Sequence, residues 1–440
     1  MWSLTGILAG GLTVQLSAVW LGGAELWSKP ALAFLAVAAL IMMLYVRFGT
    51  SPNREVAFYA IGLALFAVLM VGLRAGDVVV QHTGDLGYLG RCVVADVIYP
   101  RWLVGSAISS FAYSSLASHP FLQQEFSAVM LADAWVRLSG AGVMVLATWY
   151  LLRIDGPRLR ILLPALSPLW LLFASGYHEY YPLVGWVPVA VAAWGILDPF
   201  PKTAGAVVLA GIVAGGLSPL YIGFAPLGVA MIVVASLQRS CHAGRLLLIA
   251  LASFFMLVRI AWPQSPASYF PALYASLNLG ELNIEHIPYR GMSGSTYSPF
   301  FGLRYICSPE HLHDVMYMQL FGGGLVILGL LATGLLAVGW TSRKFGERNA
   351  RAHLRFMARG TVLLLALIFP FVMIPKLGPR RDVDLFFWCI FLIACFAGHL
   401  FDHLSDQHPE LRHPIRGGAL GVVLGSSAVV LSYLTITGLP

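Results

Sequence analysis

Charged residues are scarce in this chain: lysine, arginine, aspartate and glutamate together make up only 11% of its 440 residues. A soluble domain carries about 25%. Hydrophobic residues make up 58% and come in long blocks. Because a charged side chain that faces lipid costs a few kcal/mol, a bilayer environment selects for such a shortage. The composition therefore excludes an ordinary soluble domain and predicts an integral membrane protein.

Several familiar motifs are also absent. The sequence contains no Walker loop, no dinucleotide fingerprint, no GxSxG elbow and no HExxH, which argues against nucleotide-driven pumps and the common hydrolases. Its five cysteines show no metal-binding spacing, and an odd count cannot close a disulfide framework. The net charge of +7 is typical of the positive-inside bias, so we expect no nucleic-acid partner. No basic region precedes the first apolar stretch, which we interpret as a retained span.

Long apolar segments recur along the chain at the length needed to cross a bilayer, about 20 residues. They lie near 4–22, 30–47, 56–73, 135–152, 161–175, 182–197, 205–217, 219–237, 246–261, 318–340, 361–375, 385–402 and 417–437. Several are short for a full crossing. We therefore predict an all-α polytopic membrane protein with about 11–13 transmembrane helices, forming a single transmembrane domain over residues 1–440.

The basic loops set the orientation, because arginine and lysine are held on the cytoplasmic side. The clearest is TSRKFGERNARAHLRFMAR at 341–359. All of the basic loops lie on the cytoplasmic side only if residues 102–117 form an interfacial helix rather than a crossing. This stretch is serine-rich and begins with Trp102, as an interfacial helix would. Residues 74–134 then form a first external loop with interfacial helices, and 262–317 form a second. The same topology places the arginines of 153–160 and 412–416 on the inner side.

The first external loop contains two acidic residues close to the membrane. Asp77 follows the third predicted span, and Asp85 lies in the glycine-rich segment TGDLG. A carboxylate beside flexible backbone suits a general base that takes a proton from an incoming hydroxyl. The alternative is a solvated loop acid in a turn, where aspartate and glycine are common.

A short external connector, SGYHEYYPLVGW, contains His178, Glu179 and Tyr180. Tyrosine and tryptophan at this depth are expected in an aromatic belt. A belt does not explain the His–Glu pair, which can supply an acid, a base or hydrogen bonds to a sugar. The functional and structural interpretations of this pair stay equally open.

A second connector, IPKLGPRRDVDLFFW, concentrates charge on the predicted outer side. Arg380 and Arg381 oppose the positive-inside tendency there, which favours a held anion, and arginine forks match phosphate oxygens. Asp382 and Asp384 have a DxD spacing that can hold a divalent cation. Alternatively, Asp382 pairs with the arginines, so the need for a metal stays open.

Two further sets of polar residues can be explained by their structural roles alone. In SPEHLHDVMYMQ, Ser308 followed by Pro309 predicts a helix start, and His311 and His313 do not share a helical face as a metal site would require. Arg259 lies toward the outer end of a predicted span. It can hold a lipid or substrate phosphate, or its long side chain can extend to the headgroups.

The pattern of spans and loops resembles the GT-C superfamily of integral-membrane glycosyltransferases. The resemblance is carried by the long first external loop and by TGDLGYLGR, SGYHEYYP and LGPRRDVDLF, which are similar to segments of bacterial GT-C-like proteins. It implies that Asp85, or otherwise Asp77, is the catalytic base, with Glu179 in the sugar site and Arg381 on the donor phosphate. One departure is that two additional spans precede the first loop here.

The resemblance implies inverting transfer of a sugar from a polyprenyl-phosphate donor to a glycan, lipid or protein acceptor. The expected location is a bacterial inner membrane, with the site facing the periplasm or exterior. A transporter or lipid flippase is the main alternative, although no internal repeat is visible and the charges lie at the predicted outer boundary. A surface-polysaccharide polymerase or ligase is the second alternative.

Overall fold

A computed structural model of the chain describes only part of it. It covers residues 2–20, 35–40, 43, 103, 110–111, 114–115, 118–119, 152, 158–174, 252, 255–256, 258–260, 262–276, 307–321, 323–342, 360, 363–364, 366–371 and 387–436. These residues are mostly helical, and no strand occurs among them. The all-α part of the predicted fold class is therefore confirmed for the described residues.

Eight α-helices have defined bounds within these residues. They are α1 (Trp2–Trp20), α2 (Leu159–Ala165), α3 (Pro168–Ala174), α4 (Pro266–Ser276), α5 (Pro309–Phe321), α6 (Gly324–Ser342), α7 (Phe387–Gln407) and α8 (Arg412–Ile436). A short 3-10 helix, Pro409–Leu411, joins α7 to α8. Within the described residues, two stretches are long and apolar enough to cross a membrane, Cys389–Gln407 and Pro409–Ser432. Core helices of soluble proteins can share these properties, so length and composition alone are weak evidence for a membrane.

Helices α1 and α8 pack side by side and run in the same direction. Gly6 lies against Gly418, Gly10 against Val422, and Gly11 near Val429, so residue numbers rise together along both helices. A Cβ added to Gly6 would lie 2.6 Å from the carbonyl oxygen of Gly418. The lack of side chains at these glycines therefore allows the two backbones to approach closely.

Helices α2 and α3 form one interrupted helix. Pro164 lies inside α2, and Pro168 begins α3. Between them, the Ser167 N–H donates to the Pro164 carbonyl at 3.1 Å, and Ser427 Oγ of α8 donates to the Leu166 carbonyl at 2.6 Å. The predicted span 161–175 is thus broken near its middle, because proline removes a backbone donor and clashes with the preceding turn. A serine from α8 satisfies a carbonyl at the break.

The beginning of α2 rests on the last turns of α7. Asp402 Oδ1 accepts the Leu159 N–H at 3.0 Å, and Asp402 Oδ2 accepts the Arg160 N–H at 3.1 Å. Gly398, one turn earlier, lies directly against the Leu159 carbonyl. Further along, Trp170 of α3 stacks on Phe391 near the start of α7 with 5.1 Å between ring centroids, so the broken helix and α7 are antiparallel.

Helix α6 is parallel to α7. Gly323, immediately before α6, contacts Pro168 at the middle of the broken helix, whereas Gly334 contacts Leu400, near the end of α7. Gly323 has a φ of 78°, a left-handed conformation in which glycine is favoured. This turn separates α5 from α6, so the predicted span 318–340 is interrupted and its second part begins at Gly324.

Candidate functional site

Helix α5 begins as the sequence predicts. Ser308 precedes the helix, and its Oγ accepts the His311 N–H at 3.2 Å. Pro309 occupies the first helical position, where its missing N–H has no intrahelical partner to lose. The predicted helix start is therefore confirmed, and its capping residue is Ser308.

The two histidines of this helix face different environments. His311 is buried, with 1% of its surface exposed, whereas His313 is exposed. The prediction that they do not share a helical face is confirmed. Asp314, three residues after His311, is completely buried on the same side as His311. Sequence reasoning missed this buried His–Asp pair, although its helical spacing was the available signal.

His311 connects α5 to a distant part of the chain. Its Nε2 lies 2.8 Å from the carbonyl oxygen of Phe371, in a stretch that is helical over residues 366–371. A carbonyl only accepts hydrogen bonds, so we infer that Nε2 carries the proton and donates. Phe371 precedes the predicted Arg380–Asp384 connector by nine residues. The bond therefore attaches the end of the second predicted external loop to the helix that leads toward this connector.

His313 and Tyr317 lie on the more exposed side of the same helix. His313 Nδ1 is 3.7 Å from Asp314 Oδ1, which is too long for a strong hydrogen bond, and its ring lies 6.4 Å from that of Tyr317. In the described part of the chain, no group of three or more histidine, cysteine or acidic residues is arranged to hold a metal ion. The described half of this loop thus supplies a buried polar anchor rather than a metal centre.

Arg259 is the one predicted site residue that lies within the described part of the chain. Its side chain is exposed, and Nη1 donates to the Pro263 carbonyl at 3.1 Å. This bond directs the guanidinium past the end of the helix. The predicted role in holding a phosphate stays a prediction.

The other predicted site residues lie outside the described residues. They are Asp77, Asp85, His178, Glu179, Tyr180, Arg380, Arg381, Asp382 and Asp384. Comparison with known proteins does not identify them either. No family model, curated protein or solved structure matches the chain. Their proposed roles rest on the sequence.

A second polar cluster lies where α2 meets α7. Besides the Asp402 bonds, Arg158 Nη1 lies 3.3 Å from Asp406 Oδ2, and both side chains are about half exposed. Asp402 is buried and satisfied by backbone N–H groups, which is a capping role. The cluster holds helices together and leaves no buried carboxylate oxygen aimed at a cavity.

Proposed function

We propose that the chain is a polytopic membrane protein of the bacterial inner membrane whose outer side transfers a sugar from a polyprenyl-phosphate donor. Large apolar side chains on the described helices support the membrane location. Leu8, Phe255, Met256, Ile260, Leu336 and Leu364 are each more than half exposed. Phe255, Met256 and Ile260 are neighbours on one helical segment, and monomeric soluble proteins rarely expose large contiguous apolar patches, whereas lipid-facing helices require apolar surfaces.

The relative directions of the helices agree with the proposed topology. Helices α1 and α8 are parallel, so if they are the first and last spans the chain crosses an odd number of times. A count of thirteen, the upper end of the predicted 11–13, satisfies this condition. Counting 102–117 as one more crossing would give an even number and would make α1 and α8 antiparallel. Their parallel packing therefore supports an interfacial position for 102–117 and the external loop that contains it.

The observation that carries the proposed site is the hydrogen bond from His311 to the Phe371 carbonyl. It joins the second external loop of the proposed topology to the helix that precedes Arg380 and Arg381. The bond supports an outer surface on which residues from separate loops act together. A transferase needs such a surface, because its base and its phosphate-binding groups must approach the donor from different directions.

In the proposed reaction, the acceptor hydroxyl oxygen bonds to the anomeric carbon while the bond from that carbon to the donor phosphate breaks. Asp85, or Asp77, takes the hydroxyl proton, and Arg380 and Arg381 stabilise the departing phosphate. Attack opposite the leaving group inverts the anomeric carbon. His178, Glu179 and Tyr180 would contact the sugar, while Asp382 and Asp384 would hold a divalent cation if the reaction uses one.

Purified protein supplied with polyprenyl-phosphate sugars of several kinds tests this proposal. Alanine variants at Asp85, Glu179 and Arg381 should each abolish transfer, whereas Asp406→Ala, in the α2–α7 cluster, should keep it. Folding is checked by elution of each variant as a monodisperse peak. Full activity in all three alanine variants would exclude the assigned site, and no transfer with any donor would contradict the proposed chemistry.

A transporter or flippase is the second candidate, because one observation favours it. The broken helix α2–α3 lies in the core, and discontinuous helices commonly line transport sites. Against this, the Ser427 hydroxyl already donates a hydrogen bond to the Leu166 carbonyl at the break. Substrate movement into proteoliposomes without any transfer product would favour the transporter. Chain elongation of a lipid-linked glycan would instead indicate a surface-polysaccharide polymerase.

A further inference from the structure

One exposed helical face carries a single cation among apolar side chains. Ala252, Phe255, Met256, Arg259 and Ile260 are all exposed, and their spacing of three or four residues places them on one side of a helix. Val258, on another side, is buried. Much of the surface of these side chains is therefore left uncovered by the residues that the structure describes.

Arg259 is also far in sequence from any other charged residue. No other charged residue occurs between Arg245 and Glu281. Arg259 makes no ion pair with any residue that the structure describes, and its hydrogen bond to the Pro263 carbonyl engages one of the several donors in its planar fork. A guanidinium beside lipid is costly without an anion or water to accept its remaining hydrogen bonds.

Aromatic contacts hold helix α4 close to the end of the 252–260 segment. Trp262 packs edge-to-face on Tyr269 with 5.9 Å between ring centroids, and Trp262 Nε1 donates to Ser268 Oγ at 3.1 Å. Burial raises the pKa of Tyr269 to about 12, so its hydroxyl stays neutral. Phe270 is half exposed on α4. The 252–260 face and α4 thus both expose large apolar side chains, and Arg259 is the one positive charge among the exposed residues described there.

Other exposed apolar faces in the described residues lack this feature. On α1, the exposed residues are Thr5, Leu8, Ala9, Leu12 and Thr13, and on α6 they include Ala332, Leu335 and Leu336. None of these is charged. The cation thus distinguishes the 252–260 face from surfaces that contact acyl chains alone.

We propose that Phe255, Met256, Arg259, Ile260 and Phe270, termed the Arg259 patch, bind an anionic phospholipid of the outer leaflet. The guanidinium holds the headgroup phosphate in the fork geometry that arginine favours, and the acyl chains lie along the apolar side chains. The inference rests on the membrane location in the proposed function. It does not depend on sugar transfer, and the lipid is a structural ligand rather than the sugar donor.

Photo-crosslinking tests this site. The protein is reconstituted into phosphatidylcholine vesicles containing a small fraction of photoactivatable phosphatidylglycerol, without any sugar donor, and crosslinks are mapped by peptide. Crosslinking to residues 252–276 should fall about tenfold in Arg259→Gln, as expected for the loss of a charge-assisted bond. Arg259→Lys should fall less. Arg412→Gln removes an exposed cation at the start of α8 and should leave crosslinking at 252–276 unchanged.

Three results would overturn the site. Equal crosslinking of 252–276 in Arg259→Gln and the unaltered protein would show that the charge is not used. Displacement of the lipid by equimolar polyprenyl phosphate would assign the patch to the donor instead. Failure of the protein to float with vesicles would contradict the membrane location itself. Crosslinking that does not depend on Arg259, with flotation intact, would exclude the site and leave the proposed function standing, so the two failures are distinguishable.

Discussion

Gly398 and Asp402 lie one turn apart on α7, and both meet the backbone at Leu159. The glycine lets the start of α2 approach α7, and the carboxylate accepts the N–H groups of Leu159 and Arg160. The pair forms a docking point between segments more than 200 positions apart in sequence. Close approach and capping depend on each other here, because a side chain at Gly398 would push α2 beyond the reach of Asp402.

Asp402→Asn should destabilise the protein by about 1–3 kcal/mol. An amide offers one acceptor oxygen in place of two, so one of the two N–H groups would face the amide nitrogen and lose its partner. The unfolding midpoint in detergent, followed by intrinsic fluorescence, measures the effect. Asp406→Asn is the matched control on the same helix. It weakens only the exposed pair with Arg158, whose contribution should be below about 1 kcal/mol. Equal losses in both variants would contradict the capping role.

Gly425→Ala should disrupt the packing of α1 on α8. An added Cβ would overlap the Ile7 carbonyl, which belongs to rigid helical backbone, so the helices must separate at a cost of about 1–3 kcal/mol. In Gly418→Ala, on the same helix, the new methyl group has nothing within 4 Å. Thermal unfolding of the two variants side by side checks this. A smaller loss at 425 than at 418 would exclude the described contact.

Gly323→Ala should also be destabilising, for two separate reasons. The backbone φ of 78° is strained for alanine, and the Cβ would overlap the Pro168 ring. Gly329→Ala on α6 is the control, since its Cβ would meet nothing within 4 Å and alanine is the better helix former. We expect a lower unfolding temperature for the first variant and an unchanged or higher one for the second.

Local signals in the sequence predict some of these elements and not others. The start of α5 follows from Ser308 and Pro309, because capping depends on neighbours within one turn. The interruption at Leu166 was not predicted, although Pro164 and Pro168 flank it. Hydrophobicity over a long window averages across such a break, and its stabilising partner, Ser427, comes from another helix. Contacts of this kind depend on tertiary packing.

The same limit applies to the candidate site. The acidic and basic connectors stand out because charge is rare in this chain. The burial of His311 and Asp314 cannot be recognised in the sequence, because the partner of His311 is Phe371, sixty positions away. In SPEHLHD the sequence favours a helix start, which is confirmed. The helix start alone explained these residues, so the hydrogen bond from His311 to Phe371 was not predicted.

His311→Leu should lower both stability and sugar transfer, whereas His313→Leu should change neither much. The first substitution removes the donor to the Phe371 carbonyl, at a cost of about 1–3 kcal/mol, and loosens the helix that leads to Arg380 and Arg381. His313 is exposed, so its replacement removes no buried bond.

His311→Gln separates positioning from mere packing, because the glutamine amide nitrogen can occupy nearly the same place as Nε2 and donate the same bond. Recovery of transfer in His311→Gln, together with loss in His311→Leu, would support a positioning role. If Gln and Leu impair transfer equally while unfolding temperatures stay normal, the link from His311 to the predicted phosphate-binding connector is wrong. Rates measured across donor concentrations would show the defect chiefly as weaker donor binding, since the arginines would be displaced rather than removed.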